Sequence, residues 1–266
     1  MIMNDKNEPI IKETKDGSTT LFSAQFDQHY HNPNGAVAES RFVFFETTGL
    51  TKSLATKTPL TIFETGFGTG LNFLLCIDYL QKLGSETPVT FKSIEAYPIS
   101  PETARKLSFG DEPFLNRQTS LLADIFGRIK PGNNRFEITP FLQLELFYGL
   151  FDEYPGFSIS AELPNNFSSY IFHDPFSPDV NPELWTPNVF EKLISVSSSE
   201  TILATYCAAT SARAAMAVAG WNVARAKGAL GKREMTLASK NAEKLLSFKR
   251  VNEKRLIERF KDGDFS

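Results

Sequence analysis

Between Leu60 and Gly84 the sequence sets a short apolar run, Leu60 to Glu64, before a turn with glycines at Gly66, Gly68 and Gly70, and follows it with an apolar segment, Leu71 to Leu83, that stops at Gly84. Strand, glycine turn and helix in that order constrain the chain more than any other feature. They open a βαβ unit, which needs a parallel partner strand and a crossover helix packed on the sheet. Val89 to Glu95 reads as that partner. Ser100-Pro101-Glu102 then supplies an N-cap, a proline at the first helical position and an early acidic residue, opening a helix through about Phe109. Strand and helix signals alternate from Pro59 onward, so the expected class is α/β, a parallel sheet with helices on both faces.

The alternation continues with a helix from Glu112 to Ile129, a break at Pro131-Gly132-Asn133-Asn134, strands at Arg135 to Ile138 and Leu142 to Tyr148, and a loop from Asp152 to Phe167. A strand at Ser169 to Phe172 runs into Asp174-Pro175-Phe176-Ser177-Pro178, where two prolines stop it. A helix at Pro187 to Val196, a strand at Thr201 to Thr205, a helix at Thr210 to Ala219 and strands at Trp221 to Ala226 and Arg233 to Ala238 complete the pattern. Met1 to about Asp16 is polar and aperiodic, a loose or weakly paired terminus. Thr19 to Ser23 and Arg41 to Phe45 read as short strands around a turn-rich His31 to Gly35. From Lys240 onward the pattern is that of an amphipathic helix. The expected organisation is therefore a small β leader, 1–58, a main domain, 59–240, and a helical tail, 241–266.

With 266 residues the chain holds one large domain with appendages. Lys+Arg 28 against Asp+Glu 31 gives a net charge of −3, which excludes a globally basic nucleic-acid coat and leaves any polyanion to be met locally. Cys76 and Cys207 lie far apart, against a disulfide framework or a Cys-rich metal site. No apolar run reaches the roughly 18 residues of a membrane helix, and the first residues lack a signal-peptide core. A soluble, cytoplasmic protein with a Phe-rich core is expected, Phe numbering 24.

In the segment Glu64-Thr65-Gly66-Phe67-Gly68-Thr69-Gly70-Leu71-Asn72, backbone N–H groups and missing Cβ atoms admit a ligand closely. Leu71 stands where a dinucleotide fingerprint wants a third glycine or alanine, which disfavours a nicotinamide oxidoreductase. Glu64, ahead of the glycines, would repel a phosphate but suits the cationic amino acid end of S-adenosylmethionine. Glu95 ends the next strand, where a carboxylate can accept both ribose hydroxyls of an adenosine cofactor. In an open sheet of this kind Asp174 faces the same crevice. Its stiff turn pairs a carboxylate with the aromatic face of Phe176, fit to accept a hydrogen bond from an amine and to hold a flat ring. Asp174 would orient a neutral amine and take its proton, directly or through water, with proximity and alignment supplying most of the catalysis. His173 points the other way, as packing, and His29 and His31 show no metal spacing, so no metal site is expected. No Gly-x-Ser-x-Gly elbow or Walker loop is present. On the residues alone three readings stay open: an amine methyltransferase acting on RNA, one acting on a small molecule or other amine, and a sheet domain that binds an adenosine ligand without catalysis.

The chain resembles the methyltransferase part of the MnmC-like proteins, the tRNA 5-methylaminomethyl-2-thiouridine methyltransferases, including their standalone members. The resemblance spans about Thr19 to Ala238. It rests on Ser23 to Tyr30, Glu39 to Phe44, Phe63 to Phe73, Asp174 to Pro178 running on through Asn181 to Thr186, Thr205-Tyr206 and Gly231 to Met235. It implies a class I, Rossmann-like fold that uses S-adenosylmethionine. The implied reaction is N-methylation of an aminomethyl group on the wobble uridine of tRNA. The residues after 240 are too few for the flavin oxidase domain of larger members, so a separate enzyme, or the pathway itself, would supply the aminomethyl uridine. By resemblance, cofactor contacts fall on Glu64, Thr65, Gly66, Phe67, Gly68, Thr69, Gly70, Asn72 and Glu95. The adenine contact expected at Gly149-Leu150 is displaced to Asp152. Catalysis falls on Asp174 and Phe176, and substrate contacts on Arg41, Trp185, Tyr206, Arg213, Lys232 and Arg233.

Overall fold

The computed structural model describes residues 8–158 and 168–265. The start of the polar leader and the second half of the loop expected from Asp152 to Phe167 lie outside the described residues. The leader forms a three-stranded sheet from β1 (Ile10–Glu13), β2 (Thr19–Ser23) and β3 (Gln28–His29), then α1 (Ala36–Ser40) and α2 (Leu50–Ser53). The alternating part follows as β4 (Leu60–Thr65), α3 (Leu71–Lys82), β5 (Val89–Glu95), α4 (Pro101–Arg105), α5 (Pro113–Arg117), α6 (Thr119–Arg128), β6 (Gly132–Thr139), β7 (Leu142–Tyr148) and β8 (Ser168–His173). It continues with α7 (Pro187–Ser195), β9 (Ile202–Thr205), α8 (Thr210–Val218), β10 (Asn222–Ala226), β11 (Met235–Ser239), β12 (Lys249–Arg250) and α9 (Glu253–Lys261).

Nine strands form one sheet in the order β12-β10-β11-β9-β8-β4-β5-β7-β6. From β7 through β5, β4 and β8 to β9 the pairs are parallel, and β6, β11, β10 and β12 add antiparallel edges. Burial explains the strand sequences. Central β4 is covered on both faces and reads as a nearly continuous buried run, whereas edge β6 alternates and sinks only Phe136. Ile62 and Phe63 point to opposite faces: Ile62 joins a core with Phe91, Leu74 and Phe172, and Phe63 joins one with Phe190, Leu203 and Trp221. Leu21 of the leader lies in the first of these cores, so the small sheet is packed on the large one. The chain runs from β4 to β5 on one side and later adds β8 on the other, which makes the β4/β8 boundary the topological switch point.

Three expectations are corrected. Arg41 to Phe45 is not a strand but the start of a π-helical stretch, Arg41–Glu46, that continues α1. A strand covered on one face would bury every second residue, whereas this wide turn puts Val43, Phe44 and Phe45 all inside, with Phe44 and Phe45 against Phe172 at 4.8 and 5.5 Å. The single helix from Glu112 to Ile129 is two, because Asn116 bonds Phe109 N and Gly110 O and draws α5 back onto the preceding loop. The tail is a 3₁₀ turn, the short β12 and then α9. Asn252 caps α9 by accepting from Arg255 N, and Leu246, an apolar residue of the stretch read as amphipathic helix, is 81% exposed.

Candidate active site

Thr65 and His173 are register partners at the ends of parallel β4 and β8, so both chains leave the sheet at the same place. Asp174 N donates to Thr65 O at 3.1 Å. Gly66 has φ +90°, and a Cβ added there would lie 3.0 Å from the Asp174 carbonyl oxygen, so only glycine lets the two turns meet. Gly66 N and Phe67 N reach back to Ile94 O, and Gly68 N donates to Glu95 Oε2 at 2.7 Å. Tyr97 N takes the other Glu95 oxygen, Oε1, at 2.7 Å. The ends of β4, β5 and β8 are thereby tied into one rim.

The Asp-Pro-Phe turn is fixed from three directions. Pro175 O accepts from the Tyr206 hydroxyl at 2.8 Å and Phe176 O from Trp185 Nε1 at 2.8 Å, while Ser177 Oγ donates to Gln28 Oε1 of the leader at 2.9 Å. Beneath it His173 is fully buried. Its Nε2 faces Leu184 O at 3.0 Å, which can only accept, so Nε2 carries the hydrogen and Nδ1 accepts from Thr65 Oγ1 at 2.8 Å. Burial pushes this imidazole down to about 3, and it packs neutral against Trp185.

Above the rim is a cavity of about 660 Å³ lined by Thr65 to Gly68, Asn72, Glu95 to Tyr97, Leu150 to Asp152 and Asp174 to Phe176. The leader closes its other side with Phe26 to Pro33, Glu39 and Ser40, joined by Tyr206 and Lys232. Phe176 meets Phe26 at 4.9 Å and Tyr30 edge-on at 5.1 Å, and Phe26 also touches Tyr97. Glu64, 1% exposed, is not in the cavity wall. Its Oε1 accepts from Asn72 Nδ2 at 3.0 Å and its Oε2 from Ser93 Oγ at 2.6 Å, and the same Asn72 Nδ2 donates to Asp174 Oδ2 at 3.1 Å. Burial holds Glu64 up at about 8 despite those two donors. Burial first, then the charges of Glu64 and Glu39, hold Asp174 well above the ordinary carboxylate range.

The lining suits an adenosine-type cofactor. Glu95, held by backbone N–H groups of Tyr97, Gly68 and Ala96, keeps acceptor capacity for a hydroxyl donor, and the glycine turn leaves a cradle that a Cβ would fill, since one at Gly68 would press on the Tyr30 ring at 3.3 Å.

Of the residues expected to bind or act, Thr65, Gly66, Phe67, Gly68, Asn72, Glu95, Asp152, Asp174, Phe176, Tyr206 and Lys232 line this cavity. Asp152 is also paired with Lys192 at 2.8 Å, and Lys232 with Glu39 at 2.6 Å, over the Tyr206 ring. Others stand elsewhere. Glu64 reaches the cavity only through Asn72. Thr69 is buried with its hydroxyl toward His31 Nε2 at 3.3 Å, and Gly70 makes room for Leu122. Trp185 lies under the turn. Arg41 is bound by Asp78 and Glu112 on the flank of α3. Arg213, its side chain 7% exposed, is spent on Thr236, Glu234 and the Met235 carbonyl, so neither arginine is available as a substrate contact. Arg233 is exposed outside the cavity. Sequence reasoning missed Phe26, Tyr30, His31 and Glu39, which lie well before the glycine turn in the leader; the aromatic residues of the leader were the available signal. Among the described residues no group of His, Cys, Asp and Glu could hold a metal, and no helix is long and apolar enough to cross a membrane.

A family profile described as S-adenosyl-L-methionine-dependent methyltransferase matches residues 121–241. The tRNA 5-methylaminomethyl-2-thiouridine biosynthesis bifunctional protein MnmC of Marinomonas sp. (strain MWYL1) is 31% identical over 238 residues, 88% of this chain and 34% of that protein. Its namesake in Ralstonia nicotianae is 33% identical over 226 residues, 83% of this chain and 33% of that protein. The chain thus spans about a third of the length of these curated relatives. The crystal structure of MnmC2 from Aquifex aeolicus superposes with a TM-score of 0.72 at 23% identity, covering 97% of this chain and 77% of that one, which establishes the class I methyltransferase-like α/β fold expected from the sequence.

Proposed function

The chain contains an MnmC-like, S-adenosyl-L-methionine-dependent methyltransferase domain, and from that premise we propose that it methylates the nitrogen of an aminomethyl group on the wobble uridine of tRNA, converting 5-aminomethyl- to 5-methylaminomethyl-2-thiouridine. The observation that carries this reading is the shared cavity, which brings the glycine turn and Glu95 to the same wall as a carboxylate next to an aromatic ring. When bound, S-adenosylmethionine supplies a methyl group on a positively charged sulfur. Glu95 would accept hydrogen bonds from its ribose, and the backbone of Thr65 to Gly68 would line it. Asp152, also on the cavity wall, would be the residue to meet its adenine. Asp174 orients a neutral amine by accepting one N–H and receives the proton that the product must lose. Phe176, backed by Phe26 and Tyr30, gives the base a flat wall, and the leader keeps water from the reacting nitrogen. Tyr206 and Lys232 flank the entrance, with Arg233 outside it for phosphate.

The test is incubation with methyl-labelled S-adenosylmethionine and two tRNA preparations, one carrying aminomethyl uridine and one lacking it. Label in the first alone is expected. Label in both, or in neither while a free amine is methylated, overturns the tRNA reading.

A further inference from the structure

One amide spans the switch point. Asn72 Nδ2 gives its two hydrogens to two carboxyls, Glu64 Oε1 at 3.0 Å and Asp174 Oδ2 at 3.1 Å, one at the end of β4 and the other just past the end of β8. Asn72 is 5% exposed and Glu64 1%, and among the described residues no cation pairs with Glu64, whose other partner there is the Ser93 hydroxyl. Two carboxyls this close in a buried setting are an expensive arrangement unless it serves the chemistry in front of it. Resting on the methyl-transfer reading above, we infer that Glu64 and Asn72 act on the reaction through Asp174, Asn72 by fixing where its carboxyl lies and Glu64 as the second carboxyl on the same amide, which makes it harder for both to be ionised at once. Both are positioning residues, since neither need touch the reacting atoms.

The chemistry gives that pairing a use. A neutral primary amine forms its N–C bond with its lone pair as the C–S bond of the donor breaks and leaves its electrons on sulfur. The nitrogen, now cationic, must lose one of its hydrogens as a proton, and the Asp174 carboxylate receives it. A carboxylate that shares its amide donor with a second carboxyl holds such a proton more firmly than one alone, because the two do not ionise together readily. Besides Glu64, the groups facing Asp174 are Glu39 from α1, Lys232 from the β10–β11 loop and Tyr206 after β9, while Glu95 of β5 and Cys76 of α3 face Glu64. Glu39 adds to the effect, Lys232 opposes it, and neither is bridged to Asp174 by a shared donor.

The test needs neither RNA nor cofactor. In protein carrying carboxyl-labelled aspartate, with Asp174→Asn used to assign the signal, the titration of Asp174 is followed by carbon NMR. Glu64→Gln keeps an oxygen for Asn72 and a polar group for Ser93 but removes the charge. It is expected to lower the Asp174 midpoint by at least about one pH unit. Asn72→Ala removes a hydrogen bond that favours the ionised form and is expected to raise it. An Asp174 midpoint unmoved by Glu64→Gln overturns the role of Glu64, and one unmoved or lowered by Asn72→Ala overturns the clamp. Should Glu64→Gln fail to fold, Ser93→Ala takes its place: it removes the hydroxyl that favours ionised Glu64 and is expected to lower the Asp174 midpoint, and a midpoint left unmoved overturns the role of Glu64. In turnover, the acid limb of the kcat profile should move with the midpoint while KM for RNA stays within about threefold. If the titrations behave as stated and no RNA is methylated, the substrate reading fails and this inference stands.

Discussion

His173 fixes the strand end that carries Asp174, and its burial makes a sharp prediction for acid. Its imidazole, ordinarily near 6.5, is pushed down to about 3 by the loss of water around it. In the unfolded chain it gains a proton as the pH falls below 6.5; in the folded chain it stays neutral until near 3. The stability it contributes is therefore complete above 6.5 and is lost progressively as the pH falls toward 3, at about 1.36 kcal/mol per unit. Between pH 7 and pH 5 the loss is about 2 kcal/mol, roughly 4–8 °C in Tm for a chain of this size. The whole-protein curve will not show it plainly. His31, pushed down to about 4, adds a loss of the same sign. Glu64, held up at about 8, regains stability over the same descent, because its folded form keeps a proton that the unfolded form gives up. A difference experiment isolates it. His173→Gln retains an N–H for Leu184 O and a carbonyl for Thr65 but cannot titrate, whereas His31 and Glu64 are common to both proteins. Urea unfolding at pH 7 and pH 5 should show the unsubstituted protein losing about 2 kcal/mol more than the variant. Equal losses, to within about 0.5 kcal/mol, would mean that His173 accepts a proton in place, and the account of a neutral, locked imidazole would be wrong.

Three further outcomes are expected. Gly66→Ala forces a Cβ to 3.0 Å from the Asp174 carbonyl at φ +90° and should cost about 1–3 kcal/mol in thermal or urea unfolding, with at least a tenfold loss of affinity for the demethylated cofactor by calorimetry. Arg213→Met should destabilise by about 2–4 kcal/mol, because a buried charged donor network is cut, yet leave the salt dependence of RNA binding unchanged; a slope reduced by about one would restore Arg213 as a phosphate contact. Asp174→Asn should slow methyl transfer by about 10²-fold or more while affinity for the demethylated cofactor changes less than about threefold, measured by single-turnover transfer and calorimetry.

Much of this was legible in the sequence because the relevant physics is local. The glycine turn, the acidic end of β5 and the two prolines after β8 each act on their own neighbours, and a parallel sheet then brings strand ends together by topology alone. What was not legible depends on partners far along the chain. Arg41 and Arg213 are ordinary basic residues in sequence, and only folding shows Asp78, Glu112, Glu234 and Thr236 already around them. Glu64 sits where a cofactor contact is expected, but the strand's alternation turns it inward toward Ser93. The stretch Arg41 to Phe45 carries strand-forming residue types, and helix continuation from α1 together with burial of three successive side chains outweighs that preference. Tyr30 and Glu39 reach the cavity because the leader folds back over it, a placement no spacing encodes.

The position of β11 bears on how this protein is made. It lies between β9 and β10 although it is synthesised after both, and among the described residues β10 pairs with β11 and β12 alone. As the nascent chain leaves the ribosome, one edge of β9 has its backbone groups unpaired, and β10 has no seat, until residue 239 has emerged. The same stretch delivers Lys232 to the cavity and the partners that anchor Arg213. Prematurely terminated chains lacking it would thus be both inactive and sticky, and would fall to chaperones or proteases rather than persist as defective binders.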